Sequence, residues 1–267
     1  MVKLGVNTVL FKAHTLAEAA DAIKKSGYDG LEFAAIAGMC EHLNLDKWRG
    51  QKTEIKAILE ETGLLPLSTE VASMDQERLL KAFEACAELG IPVINIGPGG
   101  KSGDEASLQE SIEKITVLSE LAEPFGVTLC VKAHVGQAVH DTPTTLKLME
   151  AVKSPAFGVD MDPSHIYRAG ELPEIALPSV ISQVKHIHIR DCKGLGPSPG
   201  EPEMQACGRG DINLYDYFKA MVDAKYSGPV CLEVIGRDLD LASASIIAAE
   251  SYGYMNACLK MITGGKQ

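Results

Sequence analysis

Short apolar runs rich in β-branched residues alternate along this chain with longer amphipathic stretches. Eight of the short runs read as strands, at 4–9, 30–34, 65–71, 93–97, 128–134, 157–162, 184–189 and 229–234. Each is close to continuously hydrophobic, the pattern of a strand buried on both faces. The stretches between them predict helices over 15–26, 47–62, 75–89, 107–125, 142–152, 214–224 and 243–261, with a shorter one over 173–182 broken at Pro178. Gly27, Gly63, Gly90 and Gly126 stand just past helix ends, where a left-handed cap is needed, and Asp141 stands where an N-cap is expected.

Strand–helix alternation repeated eight times implies a parallel sheet. Closed on itself, that sheet is a single (β/α)8 barrel spanning 1–267, and an open doubly wound sheet is the alternative. No Gly-x-Gly-x-x-Gly follows the first strand, which weakens a dinucleotide reading. The Gly-Pro-Gly-Gly run at 97–100 reads as a loop leaving the fourth strand. Residues 193–208 form a long loop rich in Gly and Pro after the seventh strand, on the face where such barrels place their sites. It reads equally as a lid or as a surface excursion.

Polar residues interrupt the strands near their C-terminal ends, where burial is unfavourable unless the group is paired or coordinates something. The sixth strand carries Asp160 and Asp162 on one face. The seventh carries His186, His188 and Arg190 on one face with Asp191 opposed. The fifth places Lys132 and His134 alike, and the eighth has Glu233 alone among apolar neighbours. Asp162, His188 and Glu233 thus converge from three adjacent strands, a set suited to a divalent cation such as Mn2+, Mg2+, Co2+ or Zn2+. Each residue alone reads as easily as a satisfied core group; three at successive strand ends favour a site over a structural network. Glu70 and Asn95 also come from strand ends and reach either the pocket or local hydrogen bonds.

The chain has 267 residues, 46% of them hydrophobic, enough for a sizeable core. Its formal charge of −11 argues against nucleic acid as a partner, because phosphate binding needs a basic patch. No apolar run is long enough to span a membrane. Seven cysteines, none in a Cys-x-x-Cys pair, fit a reducing environment better than a disulfide framework. The opening residues lack a signal peptide's apolar stretch, so a cytoplasmic protein is expected.

Several motifs together resemble the xylose-isomerase-like sugar-phosphate isomerases and epimerases, a superfamily that includes endonuclease IV. They are Asp162-x-x-His165, His186-x-His188-x-x-Asp191, Gly208-x-Gly210-Asp211, Tyr226-Ser227-Gly228 with Leu232-Glu233, and the early Gly27-Tyr28-Asp29-Gly30-Leu31-Glu32. The resemblance implies a sugar isomerase or epimerase working through an enediolate, with a small-molecule sugar as substrate. It also suggests a homo-oligomer. In the family's ketose epimerases a Glu, an Asp, a His and a second Glu hold the metal. The resemblance sets Asp162, His188 and Glu233 on the last three.

Lys132 stands where the first Glu belongs. A protonated ammonium donates hydrogen bonds and cannot ligate a metal. Three readings follow. A metal stays on Asp162, His188 and Glu233, completed by water or His134; or Lys132 takes the metal's place between the carboxylates; or Lys132 serves as base or Schiff-base nucleophile, which nearby carboxylates disfavour. Glu233 and Lys132 are the expected catalytic residues. His134, His165, Arg190 and Glu70 are expected to bind substrate. With one base left, isomerisation is easier than epimerisation, and dehydration of a keto-sugar starts from the same enediolate. A sugar-binding barrel without turnover and a DNA-repair endonuclease are the rival functions; the charge and Lys132 speak against the second.

Overall fold

The structure is a computed structural model that describes residues 2–265. Among these, nine strands run in chain order: β1 (Lys3–Asn7), β2 (Gly30–Ile36), β3 (Cys40–Glu41), β4 (Leu65–Glu70), β5 (Val93–Ile96), β6 (Thr128–Lys132), β7 (Phe157–Asp160), β8 (Val184–Ile189) and β9 (Pro229–Leu232). All but β3 lie parallel to their neighbours, in the order β1-β9-β8-β7-β6-β5-β4-β2. A further pairing of β1 with β2, Gly5 opposite Gly30, closes the barrel. Nine α-helices follow the same order: α1 (Leu16–Lys25), α2 (Trp48–Thr62), α3 (Gln76–Leu89), α4 (Glu105–Ala122), α5 (Thr142–Ala151), α6 (Pro163–Arg168), α7 (Pro173–Val180), α8 (Leu214–Asp223) and α9 (Leu241–Thr263). The expected (β/α)8 barrel is the fold observed.

Local chemistry sets the helix ends. Thr15 and Glu18 exchange side-chain and backbone hydrogen bonds as a capping box at α1. Asp75, Asp104, Asp141 and Asp240 accept backbone N–H bonds at the starts of α3, α4, α5 and α9. Between helices and strands lies one aliphatic and aromatic core that includes Ile23, Leu31, Phe33, Phe83, Ile94, Phe157, Ile187 and Leu232. Burying each such side chain contributes roughly 1.5–3 kcal/mol. The barrel floor is tight at Gly5, where a Cβ would come 2.6 Å from Leu67 and 2.9 Å from the Cys231 sulfur.

Several strands stop earlier than the hydrophobic pattern predicts, and the reason bears on function. β7 ends at Asp160, because Asp162 leaves the sheet to cap α6, accepting the Ser164 N–H at 2.8 Å, with Pro163 in the first turn. β6 ends at Lys132; His134 begins a turn closed by the Gln137 N–H on its carbonyl and by its own N–H on Val139. Pro178 does not break the helix at 173–182: it lies inside α7, which passes into a 3-10 turn at Ile181–Gln183. The short β3, unexpected from the sequence, folds back antiparallel on the end of β2.

Candidate active site

Polar side chains fill the barrel's C-terminal half in two tiers. The deeper tier is built by β2, β4, β5, β7 and β8. His188 sends Nε2 to Glu32 at 2.6 Å and has Nδ1 at 2.5 Å from Asp160. Asp160 also holds His186 Nδ1 at 2.9 Å and the His188 N–H at 3.0 Å. The other His186 nitrogen is 2.9 Å from Ser68 Oγ, and Asn95 donates to Glu32 at 2.6 Å. All of these residues are fully buried. Burial disfavours a charged imidazole, but Asp160 and Glu32 outweigh it and push His188 well above the ordinary histidine value. Burial opposes ionisation of Asp160 too, yet His188 and His186 hold it well below the usual carboxylate range.

The upper tier sits at the strand ends. The Lys132 ammonium, last residue of β6, donates to Glu70 at 3.0 Å and to Glu233 at 2.9 Å. Glu70 ends β4, and its second oxygen accepts from Asn7 at 2.6 Å. Arg190, just past β8, donates to Asp162 at 3.0 Å and to Ser164 at 2.8 Å, and its guanidinium is 3.2 Å from Glu233. Burial favours neutral lysine, but Glu233 and Glu70 drive Lys132 above its ordinary value. Burial opposes ionisation of Glu233, and Lys132 with Arg190 reverses it, holding this carboxylate well below its usual range. Glu70 behaves oppositely: burial and the Glu233 charge raise it to about 7, against the pull of Lys132. One carboxylate is thus held ionised beside a carboxyl that keeps its proton near neutrality.

A pair of histidines borders this tier. His165, on α6, lies with one ring nitrogen 2.9 Å from Arg190 and the other 3.0 Å from Arg168. Burial and then the Arg190 charge keep it well below the ordinary histidine value. The half-buried His134 ring stands 4.0 Å from it, centroid to centroid, and is lowered by burial. Both therefore offer neutral imidazoles at neutral pH. The loop after β8 is tied down over this end. Arg168 donates to the Pro197 carbonyl at 2.6 Å. Gln205 donates to Ile235 O at 2.6 Å and accepts the Ile235 N–H at 3.0 Å. Asp191 organises the loop's base by accepting N–H bonds from Cys192, Gly208 and Ile212. Gly210 is required there, since a Cβ would meet Asp191 Oδ1 at 2.1 Å.

The structure thus brings Lys132, Glu70, Glu233, Arg190 and Asp162 into one network, with His165 on Arg190. It places His188 lower, between Glu32 and Asp160. Asp162 is engaged by Arg190 and Ser164, and the residue that stands with His188 and Glu233 is Glu70. Three buried groups could hold a metal ion, their donor atoms lying within 4.8 Å of one another: Glu70, His188 and Glu233; Asp160, His186 and His188; Glu32, His186 and Cys231. Hydrogen bonds already engage part of each donor set, while His188 Nδ1, Asp160 Oδ2 and Glu233 Oε2 have none. In the first, Lys132 bonds both carboxylates. In the other two, His186 and His188 are bonded to Asp160, Ser68 and Glu32. With Lys132 protonated in place, this donor set does not fit a divalent ion.

Sequence reasoning missed Asn7, Ser164, Arg168 and Gln205, and did not assign Glu32 or Asp160. A lone polar residue in an otherwise apolar strand is the signal that flags Asn7 and Glu32; nothing in the periodicity marks Gln205. A cavity of about 450 Å3 lies at the opposite end of the barrel, beside Leu4, Asp29 and Tyr226. It is remote from the strand-end chemistry and is not the candidate site.

A closed parallel barrel with charged residues gathered at its strand ends defines a (β/α)8 protein of the kind that carries its site on the C-terminal face. A family model described as xylose isomerase-like TIM barrel matches residues 20–258, and the chain belongs to that family. It is 20% identical over 204 residues to the 3-dehydroshikimate dehydratase of Bacillus anthracis, covering 71% of this chain and 72% of that one. An inosose dehydratase of Clostridium perfringens is 26% identical over 141 residues, 45% of each chain. Among solved structures, a D-tagatose 3-epimerase-like protein superposes with a TM-score of 0.77 at 16% identity, over 98% of this chain and 99% of that one, a likeness of fold. No helix among the described residues is long and apolar enough to cross a membrane.

Proposed function

We propose that this chain is an enzyme that removes a proton beside the carbonyl of a small polyhydroxylated keto substrate and completes the reaction as a dehydratase. The observation that carries this reading is the pair of carboxyl groups, Glu70 and Glu233, sharing the ammonium of Lys132. Glu233, held ionised, is the base. Lys132 and Arg190 supply fixed positive charge for the oxyanion that develops as the proton leaves. Glu70 keeps a proton near neutrality and can give it to a β-hydroxyl, which departs as water. The C–H and C–O bonds break, a C=C bond forms and water leaves; the proton taken by Glu233 then passes to solvent and Glu70 takes one back, which restores both groups. His134, half-buried and neutral, is placed to bind a substrate hydroxyl group, and the buried His165 orients Arg190.

Glu70 and Glu233 share one ammonium and only Glu233 is held well below its usual range, so the site offers a single ready base. That arrangement suits elimination and is a poor match for epimerisation, which needs proton transfer on opposite faces. The dehydratase names of both curated relatives support the same choice. Isomerisation through the same enediolate is the second reading, because a single base on one face can shuttle a proton between adjacent carbons.

The test is proton NMR in D2O with purified protein and 3-dehydroshikimate, an inosose and D-tagatose in turn. Loss of the α-proton with appearance of a vinylic signal establishes the dehydratase. Deuterium uptake with a new isomer and no alkene moves the assignment to the second reading. No exchange into any of them contradicts the proposal for these substrates.

A further inference from the structure

We propose that the Lys132 ammonium occupies the position a divalent cation would take at the strand ends, so that this site runs on a resident organic cation and excludes the metal. The donor atoms of Glu70, His188 and Glu233 lie within 4.8 Å of one another, the grouping a small divalent ion requires. Lys132 Nζ is 3.0 Å from one of these carboxylates and 2.9 Å from the other. An ion about 2.1 Å from the same oxygens would press against the ammonium, two positive charges with no anion between them. The third donor, His188, is committed to Glu32 at 2.6 Å.

The lysine has little freedom to withdraw. It is 4% exposed and closes the end of β6, where it is in register with Asp160 of β7. Asn7 fixes the far oxygen of Glu70, and Arg190 supports the far oxygen of Glu233. Both carboxylates therefore meet the lysine in a set geometry, Glu70 from the end of β4 and Glu233 from just past β9. A second fixed cation, Arg190, already serves Asp162, the remaining acid of the tier. The three carboxyls of the upper tier are thus matched by two permanent cations and present no vacant anionic cradle. This inference rests on the reading of the strand ends as the active site for its catalytic meaning. The occupancy of the position by Lys132 stands without it.

The experiment uses the full chain and Mn2+ alone as probe, read by the loss of the free-ion electron paramagnetic resonance signal and by melting temperature. The wild-type protein leaves the Mn2+ signal undiminished, and neither Mn2+ nor chelator moves its melting point. Lys132→Glu, which restores a carboxylate and removes the charge, takes up about one Mn2+ per chain, an affinity gain beyond the roughly 100-fold that outer-shell changes produce. Lys132→Gln, which removes only the charge, gives weaker uptake and keeps the test open if the glutamate variant does not fold. Tight uptake of Mn2+ by the wild-type chain overturns the proposal, as does a Lys132→Glu or Lys132→Gln protein that folds and still ignores the ion. Because the readout is metal binding, a chain that excludes Mn2+ yet exchanges no substrate proton refutes the proposed reaction and leaves this inference intact.

Discussion

The two polar tiers of this barrel use the same kinds of residue and do different things. The deeper tier pairs carboxylates with imidazoles, Asp160 and Glu32 around His186 and His188, and is sealed from solvent. The upper tier pairs carboxylates with permanent cations, Lys132 and Arg190, and retains a few per cent of exposure at Lys132, Glu70 and Glu233. Buried charge is tolerated in either place only because it is paired. What separates them is depth. The deeper network lies among the strands, whereas the upper one lies at their ends, with a carboxylate of lowered pKa beside a carboxyl of raised pKa. The lesson is that a polar residue in a barrel strand marks a paired network, and its depth decides whether that network is foundation or chemistry.

The sharpest way to break this division is Asp160→Ala in the deeper tier. It strands two histidines without their shared counter-charge and should lower stability by roughly 3–5 kcal/mol in urea unfolding. A change below 1 kcal/mol would show that the tier is no foundation. A smaller effect is expected from Gln205→Ala, which leaves the Ile235 amide and carbonyl without their partner. The expected loss is about 1–3 kcal/mol, with faster proteolysis confined to the loop after β8. Uniform proteolysis along the chain would argue that this loop is not held separately.

A graded effect is a pH dependence. The Glu70 carboxyl titrates near 7 in the folded chain against the usual 4.5. The proton it retains favours the folded state, so the stability Glu70 contributes is full below about 4.5 and is lost as pH rises to 7. Glu70→Gln should remove that decline, so the wild-type and variant curves differ in slope between those limits. Parallel curves would place the Glu70 titration elsewhere.

Much of this was legible in the sequence, for identifiable reasons. Continuous apolar runs alternating with amphipathic ones are enough to give the barrel. Lys132, Arg190 and Glu233 stand out because they interrupt such runs at their C-terminal ends. What period-two alternation cannot supply is depth and partner. It sets Asp160 and Asp162 on one face, but Pro163 and the Ser164 amide draw Asp162 out of the strand to cap α6. It groups His188 with Arg190, yet one residue pair along the strand carries His188 down to Glu32 and leaves Arg190 above. Glu70 comes from β4, three strands from β9 by way of β2 and β1, and its approach to Glu233 follows from the closure of the barrel. No linear motif records that approach.

The central claim, that Glu233 removes a substrate proton in the upper tier, is tested most directly by the rate of solvent deuterium uptake into a turned-over keto substrate by Glu233→Gln protein. Losing the base should slow uptake by roughly 100- to 10,000-fold while the melting transition stays cooperative and the protein stays folded. Uptake within a few-fold of the wild-type rate in a folded Glu233→Gln protein would contradict the account.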